Sequence, residues 1–384
     1  MMDHLHPGTI SMLSTYPPTV CGLATFSFAL GTALSDLGHE VRVVRVADGS
    51  LESDGGRRTA ATLRNNSLPS VRRAATALSE GDVAIIQHEF GIYGGRDGEE
   101  VLDVLHLTSI PLITVLHTVP AQPTPNQRRI LERLGQMSSR LVVLTASARQ
   151  RLMEGYEVDP WRVTTIPHGA IVTNGSSRRP PSAVKDRPQL LTWGLIGPGK
   201  GIEHVIDAIA SLHEGGHDVR YTVAGRTHPK VARVHGERYR KSLKERARAN
   251  GVSHLVDFDE AYRGPHHLAS YVASSSVVVL PYDSTDQAVS GVLVDSIAAG
   301  RPVVSTAFPH ARELLSGGAG ILIPHRDQPA LVDAIEAVTT DSSLVGAMTM
   351  AARRLGPLHS WSYVGRQYSG LADAMTSQLH RITA

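Results

Sequence analysis

Short apolar runs alternating with longer amphipathic stretches set the rhythm of this chain. Thr9 to Leu13, Val41 to Val46, Asp82 to Gln87, Leu112 to Leu116, Leu141 to Thr145 and Val163 to Ile166 each read as a buried strand. A second series restarts at Leu190 to Ile196. It continues through Leu255 to Phe258, Val277 to Leu280, a strand opening at Val303, and Gly320 to Pro324. Helical periods lie between them: Leu23 to Leu37 ended by Gly38, Ala146 to Met153, Ile202 to Leu212, and Ser290 to Ala299 closed by Gly300 and Pro302. Strand and helix in alternation predict an α/β protein built on parallel sheets. Asn174-Gly175-Ser176-Ser177-Arg178-Arg179-Pro180-Pro181 carries no apolar period and reads as a linker. The expected partition is therefore a first domain over 1–174, a linker over 175–188, a second domain over 189–358, and a terminal amphipathic segment over 359–384. A chain of 384 residues is long enough for two such domains.

Composition narrows the class without naming a function. Hydrophobic residues make up 41% of the chain, charged residues 19% and aromatics 5%, which suits a soluble α/β protein. A formal net charge of +2 gives no case for nucleic acid or an anionic membrane. The one cysteine, Cys21, excludes an internal disulfide framework and fits a reducing compartment; it reads as an inert small residue rather than a nucleophile. No apolar run approaches the roughly 20 residues of a membrane span, and Met1 to Leu13 lacks a signal-peptide pattern, so the expectation is a cytoplasmic protein.

Loops that follow strands at the carboxyl edge of a parallel sheet are where such folds bind ligands. After the Val277–Leu280 strand, Ser290 as N-cap with Gly291 beside it would present free backbone amides to an anion such as phosphate. An ordinary βαβ unit gives the same pattern. Gly197-Pro198-Gly199-Lys200-Gly201 opens another helix, but it is not a Walker A loop, because Gly201 stands where Ser or Thr is needed. Gly22 begins the first helix, either for a tight turn or for close approach of a ligand. His88-Glu89-Phe90-Gly91-Ile92-Tyr93-Gly94-Gly95-Arg96 collects polar groups at a strand end without a third metal ligand. His117 and Arg226 each follow a strand; the plain alternatives are a hydrogen-bonded loop histidine and a surface ion pair. Tyr262 is a candidate to stack on a nucleobase. Asp283 and Asp286 have poor metal spacing, so no metal site is expected.

Ser276 to Ala307 resembles the nucleotide-sugar motif of retaining GT-B glycosyltransferases of the family 4 type, also called glycosyltransferase group 1. Ala298-Ala299-Gly300-Arg301-Pro302-Val303-Val304 closes the match. Asp295 takes the place of the motif's second Glu, and Gln287, seven residues before it, the place of the first. Pro18 to Phe26 is similar to the family's N-terminal glycine loop, Ile166-Pro167-His168-Gly169 to its Ile-Pro-Asn-Gly strand end with His for Asn, and Lys200-Gly201 to its Lys-Gly element. Leu195 follows Gly194 where the family often has Arg, and Arg226 is the candidate replacement.

The resemblance implies GT-B architecture, two Rossmann-like domains facing a central cleft, with a C-terminal helix from near Trp361 crossing back to the first domain. It implies transfer of a hexose from a GDP-mannose or UDP-glucose type donor to a hydroxyl on a small-molecule, glycan or lipid acceptor, with retention at the anomeric carbon. No cofactor or metal is implied beyond the nucleotide-diphosphate sugar as co-substrate. His117, Lys200 and Arg226 would act at the reaction centre. Gly22, Gly199, Gln287, Ser290, Gly291 and Asp295 would hold the donor, and His88, Glu89, Tyr93 and Arg96 the acceptor. A sugar phosphorylase, a nucleotide-sugar epimerase and a non-catalytic nucleotide-sugar binder are the alternatives of the same architecture.

Overall fold

The computed structural model describes residues 8–47, 58–172, 188–261 and 263–383. The expected linker over 175–188, apart from Pro188, and the expected nucleobase platform Tyr262 lie outside the described residues. The chain divides into two compact units: residues 1–169 together with 361–384, and residues 170–360. The first division falls after Gly169 because Ala170 is tied into the second unit. Its amide donates to the carbonyl of His359, and it bridges Ser360.

In the first unit the strands are β1 (Thr9–Ser14), β2 (Glu40–Val46), β3 (Thr59–Leu63), β4 (Val83–His88), β5 (Leu112–Leu116), β6 (Arg140–Val143) and β7 (Val163–Thr165). They pair in parallel in the order β3-β2-β1-β4-β5-β6-β7. β4 and β5 are buried along their whole length, as expected of parallel strands covered by helices on both faces. The order reverses between β1 and β4, and the loops at that switch point carry the helix Gly22–Asp36 and the segment after His88.

The helix Trp361–Thr383 belongs to this first unit and lies against Gly22–Asp36. Val364 and Tyr368 on it are fully buried, and His39 Nε2 lies 2.7 Å from the Ser369 hydroxyl. Gly365 is required there, since a side chain would run into Ala33.

The second unit repeats the plan with β8 (Gln189–Trp193), β9 (Arg220–Ala224), β10 (Val256–Asp259), β11 (Val277–Leu280), β12 (Val303–Thr306) and β13 (Gly320–Ile323), parallel in the order β10-β9-β8-β11-β12-β13. β8 stops three residues earlier than its apolar run suggests. Gly194 leaves the strand at φ 124°, and Ile196 makes only an isolated bridge to Thr227. Among the described residues no helix is long and apolar enough to cross a membrane.

Candidate active site

In the second unit the strand ends build a nest around Lys200. The loop Gly197–Gly201 follows β8 and opens the helix Ile202–Glu214. Gly201 sits at φ 65°, and a side chain there would overlap the carbonyl of Pro281, so only glycine lets the two loops touch. Gly199 also has positive φ, with open space before it, and its carbonyl accepts from the amide of Asp283 at 3.1 Å. The Lys200 side chain is half-buried, with Nζ 4.2 Å from the centre of the Tyr282 ring. No carboxylate among the described residues pairs with it, and burial pushes its ammonium below the usual lysine range.

Tyr282 is itself buried and stacks on Phe308 with ring centres 5.4 Å apart. Phe308 caps the helix Pro309–Leu315, whose His310 accepts the backbone hydrogen of Ser290 at Nδ1, 2.9 Å away. This corrects the expectation for Ser290. Its amide is already engaged and so is not a donor to an anion, and its hydroxyl accepts from the Leu293 amide as the N-cap. At the start of the helix Gly291–Ala298, the amides of Gly291 and Val292 have no partner among the described residues.

Asp295 projects from the same helix. It is half-buried, no described residue pairs with it, and burial pushes its carboxyl up to about 7. Gln287 donates from Nε2 to the carbonyl of Val289 at 2.9 Å, so its amide braces its own loop. Arg226 is exposed on the loop after β9. The loops after β8 and β9 run side by side, because Ile196 donates to the Arg226 carbonyl and His228 to the Ile196 carbonyl.

Sequence reading missed Tyr282, Phe308 and His310, which only the pairing of β11 with β12 brings together. It also missed Glu203 and His204, whose ligand atoms lie within 4.8 Å of one another and of Asp283. A histidine with two carboxylates has the donor set for a divalent ion. Here His204 Nε2 lies 3.3 Å from Asp283 Oδ1, and the Tyr239 hydroxyl donates to Glu203 at 2.6 Å.

The first unit assembles a second group around His117. This residue follows β5, and its amide donates to the carbonyl of His88 at 3.1 Å. Its Nε2 lies 2.7 Å from Oε1 of Gln87, which is fully buried. The Phe26 ring meets His117, His168 and Trp361 edge-on at 4.9, 5.0 and 5.1 Å. Burial first, and then the neighbouring His168 and His88, hold the His117 pKa down at about 3, so the ring is neutral at pH 7.

Gly22 opens the Gly22–Asp36 helix and has no positive φ. Nothing lies within 4 Å of where its side chain would be. No tight turn or protein packing therefore demands glycine there.

Two of the four expected acceptor contacts are interior residues. His88 is fully buried at the end of β4, and Tyr93 packs in the core, its hydroxyl donating to the Gln87 carbonyl at 2.7 Å. A strand buried along its whole length and followed by a tight loop keeps such side chains inside, and their polarity misleads a reading by residue type. Glu89 stands beside His117, accepting from the Thr118 hydroxyl at 2.6 Å. Arg96 is exposed, with its Nε 4.0 Å from Asp97 Oδ2.

Two family matches cover the two halves of the chain. Residues 20–173 match Glycosyltransferase Family 4, and residues 187–341 match Glycosyl transferases group 1. The chain is 24% identical to an alpha-D-kanosaminyltransferase of Streptomyces kanamyceticus, over 69% of this chain and 71% of that one. It is 28% identical to a D-inositol 3-phosphate glycosyltransferase of Geodermatophilus obscurus, over 72% of this chain and 63% of that one. Among solved structures, HepE of Anabaena in complex with UDP and glucose superposes with a TM-score of 0.75 at 16% identity, covering 96% of this chain and 100% of that one. A glycosyltransferase from Rickettsia africae gives 0.75 at 14% identity, over 96% and 98%. With a family 4 match on the first unit, a group 1 match on the second, and the parallel-sheet pair common to GT-B proteins, this chain belongs to the group 1, family 4 glycosyltransferases.

Proposed function

We propose that this glycosyltransferase moves a hexose from a nucleotide-diphosphate sugar to a hydroxyl acceptor with retention at the anomeric carbon. The observation that carries the reading is the half-buried Lys200 ammonium, which has no carboxylate partner among the described residues. A cation desolvated and left without a counter-charge suits a ligand that brings its own negative charge. The unpartnered amides of Gly291 and Val292 add donors in the same unit. Each charge-assisted bond is worth about 1.5–3 kcal/mol, and the helix terminus adds about 0.3–2 kcal/mol. Asp295 would take the ribose hydroxyls as acceptor.

In the reaction the bond from the anomeric carbon to the diphosphate breaks. A departing phosphate oxygen takes the acceptor hydroxyl's proton, and the new bond forms on the same face. The protein holds the reactants in line and stabilises the growing diphosphate charge, so no metal is required. UDP is the first base to test, since HepE of Anabaena was solved with it.

The test is a thermal-shift panel of UDP, GDP and ADP, followed by transfer from the matching sugar donor. The right diphosphate at 100 times its Kd should add about 2.7 kcal/mol of stability, and the product should keep the donor's anomeric configuration. No response to any diphosphate would sink the reading. Consumption of free phosphate, or epimer formation without acceptor, would replace it.

A further inference from the structure

Gln87 is an uncharged side chain with no exposure at the end of β4, and every bond it makes leads to His117 or to the frame around it. Its backbone is in register with Val115 of β5, two residues before His117, and its carbonyl takes the Tyr93 hydroxyl at 2.7 Å. The next residue, His88, offers its carbonyl to the His117 amide. Gln87 Oε1 then meets His117 Nε2 at 2.7 Å, while the Gln87 amide nitrogen is buried without any partner. The end of β4 thus grips His117 by both backbone and ring.

An amide oxygen only accepts. With the Gln87 amide turned so that its oxygen faces the ring, the Nε2 opposite it carries the hydrogen, which leaves Nδ1 of the neutral ring as a bare lone pair. No described residue donates to that Nδ1. The groups facing the ring are His88 on β4, His168 on the loop after β7, and the uncharged ring of Phe26. Glu89 is occupied by Thr118 and the Phe90 amide. No carboxylate therefore competes with Gln87 for control of the ring.

We propose that Gln87 is a positioning residue that fixes His117 in the Nε2–H tautomer, so that Nδ1 receives a hydrogen bond from a hydroxyl of the sugar substrate. The inference rests on the proposed function for its ligand and deepens it. An acceptor nitrogen selects a hydroxyl at the facing position and turns away a phosphate oxygen or a deoxy carbon. His117 thus reads the sugar and does not bind the diphosphate.

The experiment is ¹⁵N NMR of the full chain with labelled histidine rings, on wild type, Gln87→Met and Gln87→Glu, with kinetics on the donor found by the nucleotide panel. In wild type at pH 7.5, His117 should show a protonated Nε2 and a bare Nδ1. Gln87→Met removes the acceptor and should lose that preference, with kcat down by about ten- to a hundredfold and the donor KM changed far less, the size expected for one lost hydrogen bond. Gln87→Glu keeps an acceptor oxygen and should retain the tautomer. Its charge should raise the His117 pKa and bring an acid limb into the pH–rate profile that wild type lacks above pH 5. An Nδ1–H ring in wild type, or an unchanged tautomer in Gln87→Met, overturns the proposal. Should Gln87→Met not fold, the wild-type tautomer and the acid limb of Gln87→Glu decide it. The NMR readout needs no turnover, so the expected tautomer without transfer would count against the proposed function alone. Transfer with the opposite tautomer would count against Gln87 alone.

Discussion

The backbone amide of Ser290 and Nδ1 of His310 meet at 2.9 Å inside the second unit. This bond fixes the start of the Gly291–Ala298 helix from outside the helix, and it takes the Ser290 amide out of the set of open donors at that turn. Removing the acceptor strands a buried N–H, at a cost of about 1–3 kcal/mol. His310→Ala should therefore lower the urea midpoint, and His310→Gln, which restores an acceptor, should recover part of the loss. Equal midpoints for wild type and His310→Ala would show that the bond does not brace the turn.

Asp295 makes a prediction with a definite sign. Its pKa is raised by burial to about 7 in the folded chain, from an ordinary 3.8. The folded state therefore binds the proton more tightly, and this group lowers stability as pH climbs from about 4 through 7. Asp295→Asn should raise the melting temperature of the free enzyme above pH 7, by about 2–4 °C for each kcal/mol regained. The same change should weaken nucleoside diphosphate binding by about tenfold or more through the lost charge and the loss of one of the two acceptor oxygens. Calorimetry with the matching diphosphate reads both; a variant that bound better would contradict the ribose role.

Lys200 and Gln287 separate charge from shape. Lys200→Ala should cut transfer by about a hundredfold or more, since one charged donor to a developing oxyanion is worth about 3 kcal/mol. Gln287→Glu loses the bond to the Val289 carbonyl and sets a carboxylate against it. It should loosen the loop with a smaller loss of rate. Parallel initial-rate measurements decide, and equal losses would count against these roles.

Chelation tests the Glu203, His204 and Asp283 group. Each of these side chains has a hydrogen-bond or ion-pair partner within the protein. Transfer should persist in EDTA, and a complete loss restored by a divalent ion would require a metal-assisted mechanism.

Acid should weaken the first unit. The pKa values of His88 and His117 are both held near 3 by burial, against 6.5 for a free ring. Between those values the unfolded chain binds more protons, so stability falls as pH drops from 6.5 towards 3. Each group contributes up to about 1.4 kcal/mol per pH unit. His88→Leu should flatten that dependence in urea titrations run from pH 7 to 5, and an unchanged slope would mean that His88 does not contribute.

Elements built from β-branched runs were legible in the chain, because a fully buried parallel strand writes itself as Val277 to Leu280 does. β3 was not: Thr59-Ala60-Ala61-Thr62-Leu63 has little bulk and no apolar run, and only pairing with β2 holds it in the sheet. Lys200 and His117 were visible as polar residues in loops that follow strands, and Asp295 by its place in the motif. Gln87, Tyr282 and His310 were not, because each matters through a partner distant in sequence: Gln87 through His117, Tyr282 through Lys200 and His310 through Ser290. His88 and Tyr93 misled for the opposite reason, since side-chain polarity carries no record of which way a loop turns.

The Trp361–Thr383 helix, laid against Gly22–Asp36, has a consequence for synthesis. On the ribosome residues 22–36 emerge well before residues 361–383, so the strip of the earlier helix that the later one covers has to stay wet until the later one is made. A nascent chain halted anywhere in the second half would thus carry an unfinished front half, open to chaperones and proteases.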